Sequence, residues 1–260
     1  MMRFGCCATP DQATLAAEAG FDYIEPAIGR LMSLPDDTRA SVIATLRHGP
    51  LPVEAFNVFL PRGYMVVGDD VPSEPPAGLP DLETFTHQAL DTVRALSGDV
   101  VVFGSGGARR IPEGFPRETA WQQLVDYTRF LGEAAAKRGL RIAIEPLNTR
   151  ETNLINSVAE ATDLANAVAH PAVGVLADMF HMAYDGEAFS EVDIPGNRLW
   201  HAHVAAIDRT APLKDGDELA RFFQALHQAR YNGRVSIECR WDDFAAQARP
   251  ALEYLRRHAG

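Results

Sequence analysis

Arg141-Ile142-Ala143-Ile144-Glu145-Pro146-Leu147-Asn148 reads as a short buried strand that ends on a carboxylate and turns at once. Pro146 has no amide proton to give a sheet and cannot continue a helix, so the strand stops there. A carboxylate delivered by an apolar strand is costly to bury unless a cation or hydrogen bonds compensate it. The pattern recurs in Gly174-Val175-Leu176-Ala177-Asp178, in Trp200-His201-Ala202-His203 and in Val235-Ser236-Ile237-Glu238. Four apolar strands each carry a metal-capable group at or near the C-terminal end. We expect Glu145, Asp178, His203 and Glu238 to converge on one divalent metal.

Strands and helices alternate on both sides of this stretch. A first strand covers 2–7, and Thr9-Pro10 opens a helix over 12–19 that closes at Gly20. A second strand over 21–25 again ends Glu-Pro, and a helix over 38–48 precedes a third strand over 53–59. Asp81 caps a helix over 81–96 with Leu82, Phe85, Ala89, Val93 and Leu96 on one face. A fourth strand over 99–103 and a long helix over 119–138 lead into the fifth strand, which Glu145 ends. Beyond it, Ser157 and Glu160 form a capping box for a helix over 157–170. Strands over 173–178, 199–204 and 234–239 follow, with helices over 217–231 and 244–258. Such alternation implies βαβ units and a parallel sheet. Eight strands in 260 residues suit one closed (β/α)₈ TIM barrel, an α/β fold with a single domain over 1–260. An open doubly wound sheet is disfavoured. The turn after the first strand is Ala8-Thr9-Pro10-Asp11, not a Gly-rich dinucleotide fingerprint.

Residues 60–80 break the rhythm with Pro61, Gly63, Gly68, Pro72, Pro75, Pro76, Gly78 and Pro80. We expect a loop over the site mouth, against the plainer reading of a surface excursion.

Bulk composition narrows the function. The chain is 47% hydrophobic and 23% charged, as an ordinary globular protein is. A net charge of −11 disfavours a nucleic-acid partner, which selects for a basic face. Three sparse cysteines without metal spacing fit a reduced intracellular protein, here expected in the cytoplasm. No apolar run has the length of a membrane span, and the N-terminus lacks a signal-peptide core.

Active sites of such barrels sit at the C-terminal rim, and strands five to eight form one arc of it. Two glutamates, an aspartate and an imidazole favour Mn²⁺, Mg²⁺ or Co²⁺ over a thiolate zinc site, with Zn²⁺ still open. Any one of these residues alone is more often an arginine partner or a satisfied core group; the succession of four carries the reading. Glu151, His181 and Arg209 lie just past three of the ligands and suit the gripping of hydroxyl and carbonyl oxygens, or else are solvated loop charges. Other signals are weaker. Gly104-Ser105-Gly106-Gly107 with Arg109 and Arg110 could cradle a phosphate or form a plain turn. Trp241 could stack on a sugar or cover the barrel mouth. Cys6, Cys7 and Cys239 read as small fillers, and Glu25 as a hydrogen-bond partner to a neighbouring strand or a further rim carboxylate.

Ile144-Glu145-Pro146-Leu147-Asn148, Asp178-Met179-Phe180-His181-Met182, His201-Ala202-His203 and Ile237-Glu238 together resemble the xylose-isomerase-like TIM-barrel superfamily. Within it the chain is most similar to ketose 3-epimerases of the tagatose/psicose type. The resemblance implies a Mn²⁺-type site of Glu145, Asp178, His203 and Glu238. It implies that Glu145 and Glu238 face each other across a sugar and move a proton, and that Glu151, His181 and Arg209 hold the substrate. A dimer or tetramer is implied too. Related epimerases carry a Gly-rich stretch before Asp-Trp after the seventh strand; Ala211-Pro212-Leu213-Lys214-Asp215-Gly216-Asp217-Glu218 stands here. Hydroxypyruvate isomerases typically have Gln where His203 stands.

A metal-chelated ketose carbonyl acidifies the neighbouring C–H, and a glutamate can remove that proton to give a cis-enediolate. Return from the opposite face gives epimerisation, and return to the neighbouring carbon gives isomerisation. Loss of water gives an inosose-type dehydratase. An endonuclease IV-like phosphodiesterase needs more histidine ligands and a basic surface, against eight histidines and the charge of −11.

Overall fold

A computed structural model describes residues 2–214 and 216–260. Eight strands are present: β1 (Arg3–Cys7), β2 (Tyr23–Glu25), β3 (Ala55–Phe56), β4 (Val100–Phe103), β5 (Arg141–Ile144), β6 (Val173–Asp178), β7 (Leu199–Val204) and β8 (Arg234–Ile237). All pair in parallel, in the order β2-β1-β8-β7-β6-β5-β4-β3. Two isolated parallel bridges, Ile24 to Val53 and Ala27 to Asn57, join the two ends. The result is a nearly closed TIM barrel.

The surrounding helices are α1 (Ala13–Ala19), α2 (Ile28–Met32), α3 (Asp36–Arg47), α4 (Leu82–Ala95), α5 (Gly106–Arg109), α6 (Arg117–Ala136), α7 (Val158–Val168), α8 (Met179–Asp185), α9 (Gly216–Gln228) and α10 (Phe244–Ala259). Their ends follow local chemistry. Asp81, Ser157 and Asp243 each accept a hydrogen bond from the backbone N–H three residues on. Gly20 closes α1 in the left-handed conformation, with φ at 99°.

Side chains of a strand alternate between faces, and this sets the site. Tyr23, Ala55, Val100, Val102, Ala143 and Leu176 form a small cluster of their own, apart from the large core between sheet and helices. These fill the barrel. Two residues beyond Tyr23, Ala55, Ala143 and Leu176 come Glu25, Asn57, Glu145 and Asp178, delivered to the same interior side at the rim. Tyr23 spans the interior because β1 carries Gly5 opposite it: a Cβ there would lie 2.3 Å from the ring.

Several expectations need correction. The third strand, expected over 53–59, is reduced to Ala55–Phe56. Asn57 donates its N–H to Pro26 O and Val58 turns left-handed, with φ at 47°, which ends the ladder. The fifth and eighth strands stop one residue before their glutamates, although the Glu145 and Glu238 amides still donate to Phe103 O and Val204 O. The connection from β6 to β7 holds α8 and two short 3₁₀ turns. Of the 211–218 stretch, Asp215 lies outside the described residues.

Residues 60–80 do not form a lid over the mouth. Tyr64, Val66 and Val67 are buried, the Tyr64 ring lies 5.0 Å from that of Phe85, and its hydroxyl donates to Pro80 O at 2.5 Å. Val66 N–H donates to Ala108 O, and Gly68 exchanges two hydrogen bonds with the Gln123 side chain. The segment is packed onto α4, α5 and α6.

Candidate metal centre and active site

Glu145, Asp178, His203 and Glu238 meet at the rim. Each offers one ligand atom, and these atoms all lie within 4.8 Å of one another. His203 turns Nδ1 to the group, 3.1 Å from Glu145 Oε1, 3.6 Å from Glu238 Oε2 and 3.9 Å from Asp178 Oδ2. Three carboxylates around one imidazole, almost wholly out of water, call for a cation. The oxygen-rich, hard donor set fits a divalent ion such as Mn²⁺ or Mg²⁺ and leaves Co²⁺ and Zn²⁺ admissible. Electrostatics agree. Burial pushes the Glu238 carboxyl up to about 7, and Glu145 and Asp178 add to this against the pull of His203 and Arg209. Burial would lower His203, but Glu25 and Glu238 outweigh it and hold a proton on the ring well above the ordinary histidine range.

Each member of the group is held from behind. Asp178 uses Oδ1 to cap α8, accepting from Phe180 N at 2.7 Å and His181 N at 3.2 Å, so Oδ2 remains for an ion. Glu145 lies against Gly104, where a Cβ would fall 2.1 Å from Oε2. Asn57 donates from Nδ2 to Glu238 Oε1 at 2.9 Å. Asn57 is itself fixed: its carbonyl and that of Val58 accept from the Ile28 and Gly29 amides at the start of α2.

Glu25 holds His203. Its Oε1 lies 3.0 Å from His203 Nε2, and its Oε2 2.7 Å from His201 Nε2 and 2.5 Å from the Ser236 hydroxyl, which also contacts Tyr23 OH at 2.9 Å. Burial would raise the Glu25 carboxyl, but His201 and His203 outweigh it and keep it well below the usual range. With Nε2–H held by Glu25, a cation displacing the Nδ1 proton would find the Nδ1 lone pair aimed at it, as in a carboxylate–histidine–metal triad. Cys7 also comes within 4.8 Å of Glu25 and His203. Burial, with Glu25 beside it, raises its thiol well above the usual value, so it is a neutral neighbour.

Glu151, His181 and Arg209 gather on the open side. Arg209, left-handed with φ at 61°, donates to Glu151 Oε1 at 2.9 Å and to Glu238 Oε2 at 3.1 Å, over the Phe180 ring. His181 Nδ1 accepts from Asn148 N–H at 3.1 Å, which places its proton on Nε2. Nε2 therefore offers a donor toward the centre, and the 3.4 Å approach of Arg209 Nη1 to it is a contact between two donors.

The Gly104–Gly107 turn does not present a phosphate cradle with Arg109. That guanidinium is wholly buried and donates to Phe103 O, Glu145 O and Ile155 O, tying β4 to the β5 exit. Burial lowers it to about 10 despite the nearby Glu145. Arg110 donates to Arg150 O. Arg109 and Asn57 were not legible as site supports. Glu25 was read as a hydrogen-bond partner to a neighbouring strand; its side chain instead reaches across the interior to His201 and His203 of β7 and Ser236 of β8.

Residues 13–258 match the family described as "Xylose isomerase-like TIM barrel". A probable ketose 3-epimerase of Synechocystis is 33% identical over 111 residues, which span 42% of this chain and 39% of that protein. An L-ribulose 3-epimerase of Methylomonas is 28% identical over 237 residues, 86% of this chain and 75% of that protein. A D-psicose 3-epimerase crystallised in the presence of D-fructose superposes with a TM-score of 0.83 at 20% identity, covering 100% of both chains.

Proposed function

Because this chain belongs to the xylose isomerase-like TIM-barrel family, we propose that it is a metal-dependent sugar epimerase acting on a ketose. The observation that carries this is the meeting of two glutamates, an aspartate and His203 Nδ1 within 4.8 Å at the barrel rim. The named relatives, epimerases of ketoses, support the same reading. Glu145, Asp178, His203 and Glu238 would hold one divalent ion, for which the family resemblance implies manganese. When bound, that ion polarises a substrate carbonyl and acidifies the adjacent C–H.

The residues then divide the work. Glu145 and Glu238 stand on either side of the reacting carbon: one takes the proton and the other returns one from the opposite face. His181 offers its Nε2 proton to a substrate oxygen, and Asn148 fixes that tautomer. Arg209 and Glu151 grip hydroxyls, and Arg209 tempers the charge on Glu238.

Solvent exchange tests this. In deuterated water with Mn²⁺, the enzyme should place deuterium at the carbon beside the carbonyl of a ketose. Glu145→Gln or Glu238→Gln should abolish that exchange; undiminished exchange in either variant refutes the proposal.

A further inference from the structure

Resting on the epimerase reading, we propose that the cavity beside Glu238 is a substituent subsite, and that the substrate is a keto-sugar carrying an apolar group, such as a keto-glycoside. The cavity measures about 700 Å³ and runs from Glu238 and Arg209 out between the β1 exit loop and α2–α3. A six-carbon ketose has twelve non-hydrogen atoms. Granting each the roughly 30 Å³ of a water molecule in the liquid, it fills only about half of that space.

The two ends of the cavity differ in chemistry. The end at the metal centre carries Glu25, Asn57, Arg209 and Glu238. Away from it the wall comes from Arg30, Leu31, Leu34, Val42, Thr45 and Leu46 around α2 and α3, and from Trp241. Leu31 and Leu46 are buried, whereas Leu34, Val42 and Trp241 are only half-buried, so apolar surface faces the opening. Pockets of this kind bind through an apolar wall with a few placed polar groups.

One further observation marks the cavity wall. Val58, which lines it, is held in the left-handed region, φ 47°, and exposed at 37%. A β-branched residue is strained there, and such strain concentrates at binding sites. The site thus continues from the metal centre through Asn57, bonded to Glu238, onto an apolar wall.

Calorimetry with two probes that share one sugar reads the subsite. Phenyl β-D-glucopyranoside should bind the Mn²⁺-loaded protein about tenfold tighter, or more, than methyl β-D-glucopyranoside. Thr45→Trp, a plug at an exposed helix position on the cavity wall, and Val42→Asp should each erase the preference and leave Mn²⁺ affinity unchanged. Equal binding of the two glycosides, or a preference that survives both variants, overturns the inference, as does D-fructose 6-phosphate binding tighter than the phenyl glycoside. Binding needs no turnover, so absent solvent exchange would count against the epimerase reading alone.

Discussion

Glu25→Gln should weaken the hold on the metal while keeping the fold. In the native chain the carboxylate accepts from His203 Nε2 at 3.0 Å, and Nδ1 of the same ring faces the ligand group. Glutamine has the same shape. Its oxygen can still accept from His203, and its NH₂ can turn to His201 Nε2, whose ring is neutral because burial lowers it despite Glu25. The change therefore removes charge more than contact. A hydrogen bond to a charged group is worth about 1.5–3 kcal/mol. Loss of most of that from the bound state corresponds to roughly ten- to a hundredfold in affinity, the usual effect of removing an outer partner of a ligating histidine. The assay is Mn²⁺ titration against a competing chelator, with thermal melting as the control on folding. A well-folded variant whose dissociation constant moves less than twofold would refute the triad.

Other consequences can be checked together. Mn²⁺ at a hundredfold its dissociation constant should add about 2.7 kcal/mol of stability, raising Tm by about 5–10 °C for a chain of this size; an unmoved Tm speaks against the site. Gly104→Ala puts a Cβ 2.1 Å from Glu145 Oε2, so exchange activity should fall at least tenfold while the melt changes little. Gly5→Ala drives a methyl into the Tyr23 ring and should cost about 1–3 kcal/mol in urea unfolding. Burial raises Glu187 to about 7, so the native state holds a proton there that the unfolded chain releases near 4.5. Stability from this residue accordingly falls as pH rises between about 4.5 and 7. Glu187→Gln should raise Tm at pH 8 and leave it unchanged at pH 4; a gain of equal size at both would contradict the burial argument.

The convergence of the four side chains was legible because it is written in the alternation of single strands. Each of Glu145, Asp178, His203 and Glu238 follows an apolar run, and a residue at a strand end inherits its direction from the interior residue two positions before it. Asn57 inherits its direction from Ala55 in the same way, but a neutral amide at a strand end gives no metal signal. Its bond to Glu238 and the anchoring of its carbonyl by α2 are tertiary events. Arg109 was hidden by its neighbours: Gly104 and Gly106 look like a phosphate loop, yet each is small to admit Glu145 and Leu147. The 60–80 segment misled through its prolines and glycines. Tyr64, Val66 and Val67 were the countervailing signal, three apolar residues that a solvent-borne lid has no use for. The five-residue α2 was too short for periodicity to reveal.

The joint between β2 and β3 has a consequence of its own. Every other pair of neighbouring staves is stitched by a ladder, whereas this one has two separate bridges. Glu25 stands at the end of one stave and Asn57 just past the other, so the props of His203 and Glu238 straddle the loosest joint in the cylinder. Gentle heating should spread that joint first, with amide exchange rising there ahead of the other strands. Catalysis would then fade at temperatures where the rest of the barrel is still intact.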